Sequence, residues 1–426
     1  MTSITVRSGS HPCPLDRFRK GKVRQTVSTD RYTIISADTH AGGSHVQYRE
    51  YLDPEFRDDF DAWREKYKNP WKDLRDTDLR IRNWDDDRRD ADQLADGVVA
   101  EVVYPNTVPP FYPGFVLFAG PPGPEDYSHR RAGIHAHNRW MKDFCARQPD
   151  RRAGIGQFFL NDIDDAITDI NWIAENGLRG GVLLPTVAPD VKWVKPLYDP
   201  IYDPIWALIQ DLDIPLNLHS GTGSPDYGRY AATPMLLISE VGFYGYRALS
   251  HFILSGVFER FPRLKFVLTE GSASGLPRTI AELDRVISNV QKGEIGELKY
   301  RAEDALPKLA SEYFAQNCWI GSSFPGPEDA EVARVIAPDR FMWGSDYPHD
   351  EGTPPFTREH LRQVFPGWPE PEMRRILSEN AATLYGFDLD KLAPLAAEYG
   401  PTIDELAQPL VELPENPNAA LLRAAS

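Results

Sequence analysis

Eight short apolar runs with the residue mix of buried strands recur along the chain, separated by stretches with helical spacing. The first, Tyr32-Thr33-Ile34-Ile35-Ser36-Ala37, is rich in β-branched residues and runs straight into Asp38-Thr39-His40. GVVAEVVYP (residues 97–105) is the second, AGIGQFFL the third and LRGGVLLPT the fourth. IPLNLHS, RLKFVLTEG, NCWIG and FMWGSD complete the set. Between them lie amphipathic segments such as DIDDAITDINWIAENG, with Gly177 as its C-cap, and DPIWALIQDLD. Strand and helix alternating eight times predict a closed parallel (β/α)8 TIM barrel over residues 31–388 with helical insertions. Residues 1–30 read as an N-terminal arm. Residues 389–426, with Pro394, Pro401, Pro409 and Pro414, read as an extended C-terminal tail wrapped on the barrel.

Two insertions stand out. The loop NTVPPFYPGFVLFAGPPGPEDY after strand 2 is too long for a simple connector. Its Phe111, Tyr112, Phe115 and Phe118 either wall a pocket or pack against a neighbouring subunit. A helical insertion after strand 5 contains MLLISEVGFYGYRALSHFILSGVFERFP.

Composition narrows the partners. A hydrophobic content of 41% over 426 residues supports a sizeable core. A net charge of −16 argues against nucleic acid and anionic membranes. No apolar run reaches the roughly 18 residues of a membrane span, and the N-terminus has no apolar signal region. Cys13, Cys145 and Cys318 are odd in number and far apart, so a reducing cytoplasm is the expected home.

The chemistry gathers at strand ends, where barrel enzymes keep their catalytic groups. Asp38 and His40 lie two apart in extended chain and point to one side. His219 closes strand 5, Glu270 follows strand 6 and Asp346 follows strand 8. Imidazole and carboxylate together are the donor set of a borderline divalent ion. Such an ion activates water or polarises a carbonyl. Zinc, iron and manganese fit alike, in one or two equivalents. His135 and His137 are set aside, because residues two apart on a helix point about 200° away from each other.

The chain resembles the amidohydrolase superfamily, in the family-2 branch that includes aminocarboxymuconate-semialdehyde decarboxylase and related decarboxylases and hydrolases. The resemblance is carried by ISADTHAGG, DGVVAEVVYPN, GLRGGVLLP, IPLNLHSG, GVFERFPRLKFVLTEG and MWGSDYPHDEGT, in order between Ile34 and Asp388. It implies a distorted (β/α)8 TIM barrel with a catalytic divalent metal, ligated by His40, His219 and Asp346. Asp38 then takes the place of the first His or Glu of the family's strand-1 pair. Decarboxylases of the branch carry a His at the strand-6 position, where this chain has Glu270. That departure favours a hydrolase that cleaves an amide, ester or thioester, including a bulky acyl thioester, with metal-activated water. In that scheme Asp346 accepts the proton. Glu270 serves as general base or as ligand to a second ion, and His251 is a candidate imidazole for that ion. His349 stands to contact the substrate or to support a ligand. The alternative is a non-oxidative decarboxylase of an aromatic or unsaturated acid. Either way the partner is a small, apolar substrate, and a homodimer is expected.

Overall fold

The computed structural model describes residues 30–68, 80–114, 116–298 and 300–425. All but the last residue of the predicted arm, and Phe115 of the aromatic loop, lie outside the described residues. Eight parallel strands lie in sequence order: β1 (Ile34–Ala41), β2 (Val98–Pro105), β3 (Arg152–Gly156), β4 (Gly181–Leu183), β5 (Leu216–His219), β6 (Phe266–Thr269), β7 (Cys318–Ser323) and β8 (Phe341–Gly344). Each falls where the apolar runs placed one. The barrel is distorted and nearly closed. Its last seam is made just beyond β8, where the Asp346 amide donates to the Asp38 carbonyl at 2.9 Å and Thr39 bridges to Tyr347. Gly344 is required there, since a Cβ would lie 2.8 Å from that of Asp38.

Alternation along the strands sorts the core into an outer and an inner layer. Leu216 and Leu218, Phe266 and Leu268, and Phe341 and Trp343 pack outward under the helices. Val267 and Met342 join the inner cluster. Asn217 and His219 take the same inward parity. Asn217 fills the interior by accepting the Tyr385 hydroxyl at 2.9 Å, and Tyr104 and Thr269 pair at 2.7 Å beside it. The inside is therefore a packed floor beneath the strand ends.

The aromatic loop is packed down as well. Tyr112, Val116 and Leu117 are buried in the inner cluster, and Phe111 joins Phe60 and Trp63. Phe118 lies against Gly221, where φ is +85° and a Cβ would be 2.8 Å from the ring. The loop thus abuts the turn that follows His219.

The C-terminal segment departs from expectation. Helices form at Leu389–Tyr399, Ile403–Ala407 and Ala419–Ala425, with Leu392, Ala396, Leu406 and Leu421 buried. Pro394 lies inside the first, past its opening turn, and forgoes one intrahelical hydrogen bond there. The spacing of Leu389, Leu392 and Ala396 was the stronger signal. This segment docks on the lead-in to β1, with the Tyr32 amide donating to the Pro401 carbonyl at 2.9 Å.

Asp96 ties the helix Thr357–Val364 to the barrel by accepting from the Thr357 amide at 3.1 Å and from its hydroxyl. Burial pushes its carboxyl up to about 7, against the pull of those hydrogen bonds. Unfolded, the group titrates near 4, so the folded state binds the proton more tightly and stability falls as pH rises through that interval. Asp96→Asn is expected to raise stability at pH 8 by ~1–3 kcal/mol and to give no gain near pH 4. Denaturant titrations at the two pH values check this.

Candidate metal centre

Five predicted residues meet at the C-terminal mouth of the barrel. Asp38 and His40 stand on β1 and His219 ends β5. Glu270 and Asp346 follow β6 and β8 in left-handed conformations, with φ of 57° and 62°. Such a turn is unfavourable for a residue with a side chain and typical of functional sites.

Asp38, His40, His219 and Asp346 are completely buried. His40 Nε2 lies 3.4 Å from Asp38 Oδ1 and 3.1 Å from Asp346 Oδ1. His219 Nε2 lies 3.6 Å from the same Asp38 oxygen. Outer contacts hold these groups in place. His219 Nδ1 sits 3.0 Å from the Ser220 carbonyl and 3.1 Å from Glu270 Oε2, which also accepts the Ser220 hydroxyl at 2.6 Å. Ser323 donates to Asp38 Oδ2. His349 Nδ1 lies 2.9 Å from Asp346 Oδ1, and its ring stacks on His40 at 4.2 Å.

What these groups lack is partners on their inner side. Asp38 Oδ1, His40 Nε2, His219 Nε2 and Asp346 Oδ2 are buried and make no hydrogen bond. Leaving so many polar atoms unsatisfied is costly, and natural proteins rarely do it. Donor atoms of Asp38, His40 and His219 lie within 4.8 Å of one another, as do those of His40, Asp346 and His349. A divalent cation fits this set of nitrogen and oxygen donors and satisfies them together.

The electrostatics separate the two acids. Burial works against ionising Asp346, but His349 and His40 outweigh it and hold the carboxyl well below the usual range. Burial raises Glu270 to about 7 against the pull of His219, although a fifth of its side chain reaches solvent. His349 is pushed up to about 10, its burial overcome by Asp346.

His251 is not brought to this cluster. It lies on the helix Thr233–Leu254, its ring edge-on to Tyr198 at 5.1 Å, and burial lowers it to about 4. No donor atom of His251 falls in a cluster of metal-binding type among the described residues. His135 pairs with Asp169 at 2.8 Å, while His137 is buried between Tyr48 and Trp140. Neither belongs to a cluster of metal-binding type among the described residues.

Several supporting residues escape the sequence. Ser323 lies beyond the predicted end of strand 7, and Ser220 and Glu351 carry no pattern of their own. Arg89, in the run DDDRRD, reads as surface charge but is completely buried. It donates to the His40 carbonyl at 2.8 Å and to Glu101 at 2.6 Å, while Thr39 donates its hydroxyl to Glu101 at 2.8 Å. A lone acid inside VVAEVVYP was the available sign of a buried ion pair. Arg89→Met leaves Glu101 buried and under-compensated, so a loss of about 3–5 kcal/mol is expected in chemical denaturation. Arg89→Met/Glu101→Gln is expected to lose less than the two single changes together.

The sequence profile of the amidohydrolase family matches residues 59–387. The chain belongs to the amidohydrolase superfamily, in its family-2 branch. The matched span opens after β1, so Asp38 and His40 lie outside it and are brought to the cluster by the fold. Solved structures share that fold. The chain is 21% identical to a 5-carboxyvanillate decarboxylase from Novosphingobium aromaticivorans, complexed with manganese and 4-hydroxy-3-methoxy-5-nitrobenzoic acid. The similarity covers 84% of this chain and 97% of that one, with a TM-score of 0.62. An amidohydrolase from Mycobacterium avium subsp. paratuberculosis matches at 21% identity over 83% of this chain and 99% of that one, with a TM-score of 0.62. A dihydroxybenzoic acid decarboxylase from Polaromonas, with manganese and 2-nitroresorcinol, matches at 16% identity over 83% and 97%, with a TM-score of 0.58. No curated protein matches the chain. A divalent metal cofactor agrees with both the buried donors and the manganese in those amidohydrolase-like structures. Among the described residues no helix is long and apolar enough to cross a membrane.

Proposed function

We propose that the protein is a metal-dependent, non-oxidative decarboxylase of an aromatic or unsaturated carboxylic acid. One observation carries the reading. The unbonded donors form a single centre, while Glu270, the nearest further acid, is engaged with Ser220 and His219. Decarboxylases of the same fold, holding manganese and nitro-substituted aromatic ligands, support it. Hydrolysis, the first choice on sequence alone, thus gives way to the alternative.

Asp38, His40, His219 and Asp346 would hold the ion. When bound, a divalent cation would draw electron density through the substrate's oxygens and away from the bond to its carboxylate. Glu270 supplies the proton. The carbon–carbon bond breaks, its electron pair stays on the substrate carbon, carbon dioxide leaves, and the Glu270 proton forms the new carbon–hydrogen bond. Asp346, kept ionised by His349 and His40, does not compete as the donor. A cavity of about 410 Å³ beside the ends of β1 and β2 is lined by His45, Arg64, Tyr67, Arg80 and Trp84, among others. Guanidinium groups next to aromatic faces suit an apolar ring that carries acidic oxygens.

Hydrolysis of an amide, ester or thioester is the second reading. It is favoured by Glu270 in place of the strand-6 His, and by oxygens of Glu270, Asp346 and Glu351 converging within 4.8 Å. The manganese-loaded protein is therefore offered two sets of compounds. One holds hydroxylated and methoxylated benzoic acids, followed by carbon dioxide release. The other holds aryl esters, amides and acyl thioesters, followed by acid release. Turnover confined to the first set is the expected result, and turnover confined to the second reverses the choice.

A further inference from the structure

The helix Thr233–Leu254 is anchored at one end only. Ala248, Leu249, Phe252 and Ile253 are buried against the barrel. Its other half exposes Met235 at 70%, Leu236 at 42%, Ile238 at 76% and Phe243 at 62%, and Tyr230 just ahead is 76% exposed. At about 100° per residue, Met235, Leu236, Ile238, Ser239 and Phe243 fall within one arc of roughly 160°. They make one face, not scattered positions. Glu240 lies off that face and accepts the Tyr227 hydroxyl at 2.6 Å. No residue from Tyr230 to Ser239 is charged. Gly242, Leu249 and Ile253 fall in the same arc, so the exposed positions continue the face that packs on the barrel further along, and a Cβ at Gly242 or Gly245 would meet nothing within 4 Å.

We propose that this face is the two-fold contact between two copies of the chain. Taking about 200 Å² for a large side chain, the five exposed residues offer roughly 600 Å² of apolar surface. That is the upper range for a monomer's largest patch, ~300–600 Å². Set against itself it buries roughly 1,200 Å², the lower edge of a stable specific interface. Charge selects the occupant. Two chains of net charge −16 repel over most of their surfaces, and an uncharged face is where they meet without opposing like charges. A two-fold axis brings this face onto its own copy. An anionic membrane is disfavoured by the same net charge. The contact is the same whether the barrel decarboxylates or hydrolyses its substrate.

The test is the solution mass of the full chain by light scattering after size exclusion, for wild type and two variants. One is Met235→Glu/Ile238→Glu/Phe243→Glu and the other carries lysine at the same three positions. Wild type is expected at twice the chain mass, with each variant's dimer dissociation constant raised at least ~100-fold. Mixing the acidic and basic variants is expected to restore the double mass, because in a two-fold contact the face meets itself. A wild type at the single mass overturns the proposal, including one that floats with phosphatidylcholine vesicles. So does a glutamate variant that keeps the double mass. Should a variant fail to fold, hydrogen exchange on wild type above and below its dissociation range decides. Concentration-dependent protection confined to residues 230–246 supports the contact, and protection confined elsewhere overturns it.

Discussion

His219→Ala is expected to reduce bound metal to about a tenth or less and turnover by at least ~10³-fold. Outer partners of metal ligands are worth about 10–100-fold in affinity or activity, so removing a donor itself has to exceed that. His219 reaches inward as the last residue of β5, with one ring nitrogen fixed by the Ser220 carbonyl and Glu270 and the other left without a hydrogen bond. His40→Ala is expected to behave alike, since His40 Nε2 faces both Asp38 and Asp346. His137→Ala is the control. Its imidazole is equally buried but lies on the helix Tyr127–Ala146 away from the cluster, so metal content stays at the wild-type level. Elemental analysis of protein purified without chelator reads all three. Full metal and turnover in His219→Ala or His40→Ala would remove these residues from the centre.

Glu270→Gln has the second largest expected effect, and it divides the two chemistries. If Glu270 gives the substrate carbon its proton, the amide keeps the ion and loses the acid. Metal then stays near one equivalent while turnover falls by about 10²–10⁴-fold. The pH profile carries a sign. The protonated acid is the active form, so the wild-type rate declines as pH rises through the Glu270 pKa, which burial lifts above the ordinary carboxylate range. The residual rate of Glu270→Gln lacks that decline. A fall from two equivalents of metal to one would instead show Glu270 holding a second ion beside Asp346 and Glu351, as the hydrolytic reading requires.

The apolar runs made the fold legible because parallel strands are buried on both faces and read as continuous hydrophobic segments. The same runs located Asp38, His40, His219, Glu270 and Asp346, for a barrel gathers all its strand ends at one mouth. His251 stood as a candidate beside the reading of a partly buried structural His, because spacing along a helix does not say which side of the barrel wall a residue faces. Arg89 escaped because a buried guanidinium and a surface one look the same in sequence until Glu101 is paired with it. The helical C-terminal segment was hidden by its prolines, three of which, Pro401, Pro409 and Pro414, fall between the helices and not within them. The balance between lyase and hydrolase was hidden for a similar reason. It turns on the surroundings of Glu270, and its contacts with Ser220 and His219 come from parts of the chain that only the fold brings together.

The most direct measurement follows the solvent atoms into product. The manganese-loaded protein is run on its best substrate in deuterium oxide enriched in oxygen-18, and the organic product is analysed by mass spectrometry and proton NMR. Decarboxylation puts one deuterium on the carbon that carried the carboxylate, releases one carbon dioxide per turnover and leaves no oxygen-18 in the organic product. Oxygen-18 in a newly formed carboxylate, with no carbon dioxide and no carbon-bound deuterium, would contradict it.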